Sequence, residues 1–420
     1  HYREAESVVE EYNLLAEKAA RIAESLPAEY HDAYYQLVLH PTKACAILNE
    51  LYLTVAQNRL YTQQGRALTN ELTMKAKELF AADSAMSFHY NKILSGGKWN
   101  HMMDQTHISY TYWQQPDKDV LPRVETIHLP QAADMGIAIQ GSESWWPLEK
   151  SEAVLPSFDP LNRQAFYIDI FNRGSGPLDY SVKTARPWII LSSVKGALDQ
   201  QQRLWVSVDW AKVPVGDHDV PITIAGAKKK IVVHAVVKNG EMWQKAHGFV
   251  ESNGSIAIDA AHYSRKVDVA PVRWQIIPNL GRTGSAMMPE PVTAVSQTPG
   301  ERCPRLEYDV TFAKGGAVSV HVQVSPTLNF HNNQGLRYAL SLDDAPPRIV
   351  NIHENFSFQD WEEAVRRNII ESASEHVAAA GQHVLKFWMI DPGVVLQKLI
   401  IDTGGLQPSY MGPPESAFLP

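Results

Sequence analysis

The sequence predicts a multidomain α + β chain in which an antiparallel helical bundle precedes two β-sandwiches. Three observations predict it. Apolar residues recur at spacings of three and four through the first quarter of the chain. Strict alternation takes over after residue 135, which is the period of a strand with one buried face. Between the two regimes, beyond Pro116, Pro, Gly and β-branched residues become frequent.

The helical part comes first. Val8, Tyr12, Leu15, Ala19, Ile22 and Leu26 make one apolar stripe, and Pro27 ends it. A second helix with Tyr34, Leu37 and Val38 is expected to break at Pro41, whose ring and missing N–H oppose helical continuation. A third carries Ala44, Leu48, Leu51, Tyr52 and Val55. Gly65 separates it from a fourth with Leu68, Leu72, Ala76, Leu79 and Phe80, and Gly96-Gly97 closes the run. Short links between long amphipathic helices favour antiparallel neighbours, placed here at residues 1–125.

Strands are expected at 135–141, 164–171, 186–191, 204–210 and 220–236, with turns at Asn172–Gly176 and Ala225–Lys228. Several short strands over about 110 residues resemble an immunoglobulin or fibronectin type III sandwich, assigned to 126–238. A second set at 306–312, 317–324, 337–342, 383–390 and 394–401 suits a jelly-roll-like sandwich over 239–420. The stretch 360–380 reads as an irregular or helical insertion, and the tail after residue 402 as an arm laid on another surface.

A formal net charge of -8 speaks against nucleic acid as a main partner, because a phosphate backbone needs a basic surface. The one cationic run, Lys228–Lys230, falls at an expected hairpin and reads as a solvated turn. No apolar run reaches the ~20 residues of a membrane-spanning helix. The two cysteines, Cys45 and Cys303, are far apart and lack a CxxC partner, so neither a disulfide framework nor a zinc site is expected. No cofactor or metal is expected. The chain opens inside a helical pattern without a start signal or a signal peptide, so further residues are expected upstream.

Two segments stand out chemically. Gly96–Pro116, GGKWNHMMDQTHISYTYWQQP, concentrates Trp99, His101, Asp104, His107, Tyr110 and Trp113 in one stretch without helical or strand periodicity. Aromatic faces beside amides and imidazoles suit sugar recognition, and they equally suit a buried polar network closing a helical domain. The second segment is Trp274–Pro291, WQIIPNLGRTGSAMMPEP, read as a rigid functional loop. It carries Trp274, Asn279, Arg282 and Thr283. Arg matches a carboxylate through two parallel hydrogen bonds, though Arg282 could equally pair with a nearby acid of the chain. GxSxG, HExxH, P-loop and GxGxxG signatures are absent from the sequence, and no local pair of carboxylates announces glycoside hydrolysis. Asp104 is the one acid embedded in an aromatic-rich cluster, and a hydrogen-bond anchor is its better reading.

Six strings together resemble glycoside hydrolase family 115, the xylan α-1,2-glucuronidases. They are HYREAE, EYHDAYYQLVLHP, QNRLYTQQGRALTNEL, the Gly96–Pro116 segment, WQIIPNLGRTGSAM and DPGVVLQKLIIDTGGLQPSYMGPPES. The resemblance implies an inverting enzyme that removes glucuronic or 4-O-methylglucuronic acid from xylan. It also implies an α/β domain and a catalytic (β/α)8 barrel upstream of the helical bundle. The barrel, with its catalytic carboxylates, has no counterpart here, so no catalytic residue is assigned to this chain. By that resemblance Arg282 would face a uronate carboxylate, Trp274 would wall it, and the Trp99–Trp113 cluster would support the barrel. A homodimer and an extracellular or periplasmic location are implied in the same way. Two other classes stay open: a carbohydrate-binding module set, suggested by 11 Trp in a sandwich-rich chain, and a plain structural or dimerisation unit.

Overall fold

A computed structural model describes residues 1–109 and 118–420. Three long helices, Glu4–Ser25, His40–Gln64 and Thr69–Phe88, form the N-terminal unit. The last two are an antiparallel hairpin around Leu51, Val55 and Ala76, into which Ile108 also packs. Pro41 does not break its helix. A π-helical turn, Tyr35–Leu39, precedes it, and the His40 amide donates to Tyr35 O, one residue further back than in an α-helix. The wider turn makes room for the ring of Pro41 at the carbonyl it would otherwise strike. The first helix buries Val9 and Ala19, whereas Leu15 and Ile22 of the expected stripe stay exposed.

Polar residues close this unit. Asn58 is fully buried, and its amide donates to Thr69 O, Thr73 Oγ1 and Glu125 O, while its oxygen accepts from the Glu125 amide. One side chain thus joins both hairpin helices to the segment that leaves them.

The first sandwich has two sheets. One runs in the order Met135–Ile139, Phe166–Asn172, Gln201–Val208, Ile189–Leu191. The other contains the long hairpin Gly216–Gly226 and Lys229–Asn239, joined at Ala227-Lys228, both in the left-handed region. Strong right-handed twist is what such a two-residue turn supports. The inward positions of both sheets, among them Ile137, Ile168, Leu204, Ile222 and Val233, form one core. At the Asn172–Gly176 turn, a Cβ on Gly174 would collide with Ala132 O, so only glycine fits.

The second sandwich packs one sheet containing Arg305–Phe312, Gly381–Met389 and Arg337–Leu342 against another containing Gly316–Val324, Leu396–Asp402 and Ile370–Ala378. Tyr338 stacks on Phe387 inside it, 4.9 Å between ring centres. Two expectations are corrected here. The 360–380 insertion is a helix, Phe358–Arg367, followed by a regular edge strand, Ile370–Ala378. Ser357 and Asp360 start that helix with a reciprocal capping box. The Trp274–Pro291 segment is a hairpin, Arg273–Ile277 against Ala286–Glu290, and only its tip is a loop.

Replacing Asn58 by Ala leaves the Glu125 amide without its partner and removes the donor that joins Thr69 O, Thr73 Oγ1 and Glu125 O. A loss of about 2–3 kcal/mol in denaturant unfolding is expected, on the scale of unmet buried polar groups. Wild-type stability in that variant would contradict the role assigned to Asn58.

Candidate functional site

The hairpin places its tip against the C-terminal arm. Trp274 points inward from its strand and is 2% exposed, edge-on to Phe387. It is a core residue, so the expected stacking wall for a ligand is corrected: alternation along the strand puts this position on the buried face. Arg282 sits at the tip. Its guanidinium donates to the backbone oxygens of Arg367 and Tyr410 and lies 3.8 Å from the centre of the Tyr410 ring. Its amide donates to Gln397 Oε1. Burial lowers the pKa of this guanidinium, with Arg367 adding to the effect while Tyr410 and Glu371 oppose it. All three guanidinium nitrogens already hold the chain itself, so Arg282 anchors the arm. Thr283 Oγ1 donates to Asp259, and Asn279 is exposed in the left-handed region with its amide toward Ser285 Oγ.

The arm is tied down along its length by side chains that sequence reading missed. Lys398, 2% exposed, donates to Pro413 O at 2.9 Å and stands 3.8 Å from Asp259. Burial lowers its pKa, while Asp259 and Glu415 oppose that shift. Glu415 accepts from the Asp259 amide and bonds His262. The amides of Tyr410 and Met411 donate to the Glu4 carboxylate at the start of the first helix. Acceptors near a helix start are a common signal. Glu4 instead serves a segment some 400 positions away, which no local pattern announces.

The aromatic and histidine segment forms a second cluster, of which Tyr110 and Trp113 lie outside the described residues. Asp104 accepts from Asn91 at 2.7 Å and bonds His101 at 2.5 Å. His107 bonds the Asp83 carboxylate through Nε2 at 2.9 Å, and Asp119 accepts from the amides of His107 and Ile108. Trp99 is half-buried beneath the ammonium of Lys98. The residues therefore staple the exit segment to the helical hairpin. Nearby, His40 is buried among Tyr35 and Tyr90, and its Nδ1 has no partner among the described residues.

Among the described residues, two triplets each bring three ligand-type atoms within 4.8 Å: Asp83, His107 and Asp119, and Asp259, His262 and Glu415. Either set could offer nitrogen and oxygen to a divalent ion. The His107 ring nitrogens already face Asp83 and Gln105 O, and Lys398 brings positive charge beside Asp259, so both triplets are arranged as ion pairs.

A helical unit, two mainly antiparallel sandwiches and an arm locked across them define a multidomain chain in which many polar side chains are spent on the chain's own backbone. Residues 248–415 match the model of the glycosyl hydrolase family 115 C-terminal domain. Among solved structures, one likeness is to BtGH115A, described as a family GH115 4-O-methyl-alpha-glucuronidase with specificity for decorated arabinogalactans. It is 15% identical with a TM-score of 0.49 and covers 95% of this chain and 33% of that one. This chain therefore spans about a third of that enzyme. Others are the C-terminal CBM6 of LamC, a laminarinase from Zobellia galactanivorans (14% identical, TM-score 0.25, 35% of this chain and 98% of that one), and a family 35 carbohydrate binding module from Clostridium thermocellum (13%, TM-score 0.26, 35% and 97%). No curated protein matches the chain. Among the described residues, no helix is long and apolar enough to cross a membrane.

Two histidines of the helical unit are shifted in opposite directions, and a pH optimum of stability is expected from them. Burial opposes charge on His107, but its bonds to Asp83 and Gln105 O and the charge of Asp119 outweigh this and raise its pKa. That stability is complete below the unfolded value, about 6.5, and is lost as pH rises through the raised folded value. Burial lowers the pKa of His40. Its contribution is therefore lost as pH falls below about 6.5, where the unfolded chain takes up the proton first. Thermal melts should peak near the window where His40 is neutral and His107 charged, and His107→Gln should flatten chiefly the alkaline limb, because His107 is only the last and smallest cause of the lowered His40 pKa. A limb unchanged in that variant would contradict the assignment.

Proposed function

We propose that this chain is the accessory half of a xylan α-1,2-glucuronidase, an inverting glycoside hydrolase that releases glucuronic or 4-O-methylglucuronic acid. The family 115 C-terminal domain over 248–415 is the observation that carries the reading. The chemistry belongs to a catalytic barrel, which is not among the described helices and sandwiches. Inversion needs one carboxyl group as acid and another as base, ~6.5–9.5 Å apart across the scissile bond. In this chain the acids around both clusters are committed to amides, histidines and lysines. The half therefore supplies support, contacts to the barrel and, through Asn279 and Thr283 at the exposed hairpin tip, contacts to a bound uronic acid. Arg282 serves that contact by fixing the tip and the arm together. A homodimer and an extracellular or periplasmic site of action, where xylan is found, complete the reading.

The test is release of 4-O-methylglucuronic acid from glucuronoxylan. The chain alone is expected to release none, and the chain joined to an upstream family 115 barrel is expected to be active. Asn279→Ala and Thr283→Ala in the joined enzyme should raise KM with little change in kcat, the mark of lost ground-state contacts. Turnover by the chain alone would overturn the proposal, as would an inactive joined enzyme that is correctly folded.

A further inference from the structure

A cavity of ≈ 590 Å³ opens where the first sandwich, the C-terminal arm and the start of the chain come together. The volume lies within the range of small-molecule sites. One wall is the end of the strand Met135–Ile139 with the turn that follows it and Leu155-Pro156. The other is the arm at residues 413–416. The arm is held in place there, because Lys398 donates to Pro413 O and the Ala257 amide donates to Ser416 Oγ.

The lining carries little charge. Among the described residues no lysine or arginine lines it, and its one carboxylate, Glu415, is held by His262 and the Asp259 amide. His1, with the terminal amine, is exposed. A charged ligand would leave water for a cavity that offers it no buried counter-charge, and that transfer is costly. What the cavity does offer is uncharged hydrogen bonding in both directions. Gln140 gives its Oε1 to the Tyr167 amide at 3.2 Å, which leaves its Nε2 as a donor. Tyr2 Oη accepts from the Gln407 amide, which leaves its O–H free to donate. Gln407 Nε2 donates to Gly405 O, which leaves its Oε1 as an acceptor. The hydroxyl of Ser255 makes no hydrogen bond among the described residues and can serve as both. Beside these groups stand the apolar surfaces of Leu155, Phe166 and Pro413.

These features select a ligand class. A hydrocarbon would fill the volume but displace water from donors and acceptors without replacing its hydrogen bonds. An ion would find no partner. A sugar ring carries C–H faces for the apolar surfaces and hydroxyls, each donor and acceptor, for the amides and hydroxyls. We infer that this cavity binds an uncharged sugar unit of a polysaccharide main chain, with Ser255 and Gln140 as its principal contacts. The choice of xylan as that main chain rests on the function proposed above; the preference for an uncharged sugar rests on the cavity alone. The site holds polymer and needs no catalytic group.

The test is calorimetric titration of the intact chain with xylohexaose, which is uncharged, and with an oligogalacturonate of the same length, which carries a carboxylate on every unit. Xylohexaose should bind, and added salt should leave its affinity unchanged because no charge pairing is involved. The acidic oligomer should bind at least about tenfold more weakly. Ser255→Ala should weaken xylohexaose binding about three- to tenfold, the worth of one uncharged hydrogen bond. Gln140→Leu, similar in shape without the amide, should do the same, with melting temperature checked in both variants. Lys195→Ala, on a first-sandwich strand outside the cavity, should bind as wild type. Equal or tighter binding of the acidic oligomer, no binding of xylohexaose at millimolar concentration, or folded variants with wild-type affinity would overturn the inference. None of those results bears on release of uronic acid by the joined enzyme, so the cavity and the proposed function fail separately.

Discussion

The arrangement depends on one buried charge, the carboxylate of Asp169 in the first sandwich. It is 2% exposed and receives Arg66 from the helical hairpin at 3.1 Å and Arg203 from the neighbouring strand at 2.8 Å. Arg66 is itself 2% exposed, and its guanidinium lies between the rings of Tyr61 and Phe171, at 4.0 and 4.3 Å. Gln64 and Gln201 take further guanidinium N–H groups. Arg203 extends the network to Glu6 of the first helix. Burial alone would weaken the hold of Arg203 on its proton, but Asp169 and Glu6 outweigh it and raise its pKa. Such a network gains little over an apolar contact, yet removing one member strands the others in a dry interior. Its consequence is geometric: the helices meet the sheet in one register, because only there are all the donors met.

The second tie closes the chain on itself. Glu4, at the start of the first helix, holds the arm at Tyr410 and Met411, while Arg282 and Lys398 hold the same arm from the second sandwich. Tyr2 accepts from the Gln407 amide nearby. The two ends of the chain are thus fastened to one another, and the first helix is held against the arm. That fastening comes from charged side chains bonded to backbone across long sequence separations.

Much of the fold was legible in the sequence because period and punctuation are local. The helical hairpin, the strands near 135, 166, 305, 316 and 337, and the turn at Lys228 follow from spacing and turn chemistry. What failed had physical reasons. Pro41 is accommodated by a π turn, which has no signature in apolar spacing. Ile370–Ala378 reads IESASEHVA, an edge strand with little apolar content, so it resembles a loop. Trp274 and Arg282 stood in one unusual string, yet a strand sends one into the core and the turn sends the other to the arm. The candidate site was the least legible part, since Glu4, Asp83, Asp119 and Lys398 are ordinary residues whose partners are remote in sequence. The family strings drew attention to the hairpin tip, the arm and the exit segment, and the structure shows that their polar groups are largely spent on the chain itself.

The docking claim is tested most directly by a double-mutant cycle on Arg66→Met and Asp169→Leu, with unfolding followed by denaturant at neutral pH. Asp169→Leu leaves Arg66 buried without its counter-charge, and a loss of about 3–5 kcal/mol is expected; Arg66→Met leaves Asp169 paired with Arg203 alone, and a smaller loss is expected. The pair together should lose far less than the sum, giving a coupling of at least about 2 kcal/mol. Additive losses, or single variants as stable as wild type, would show that the helices and the sandwich are held by something other than this charge.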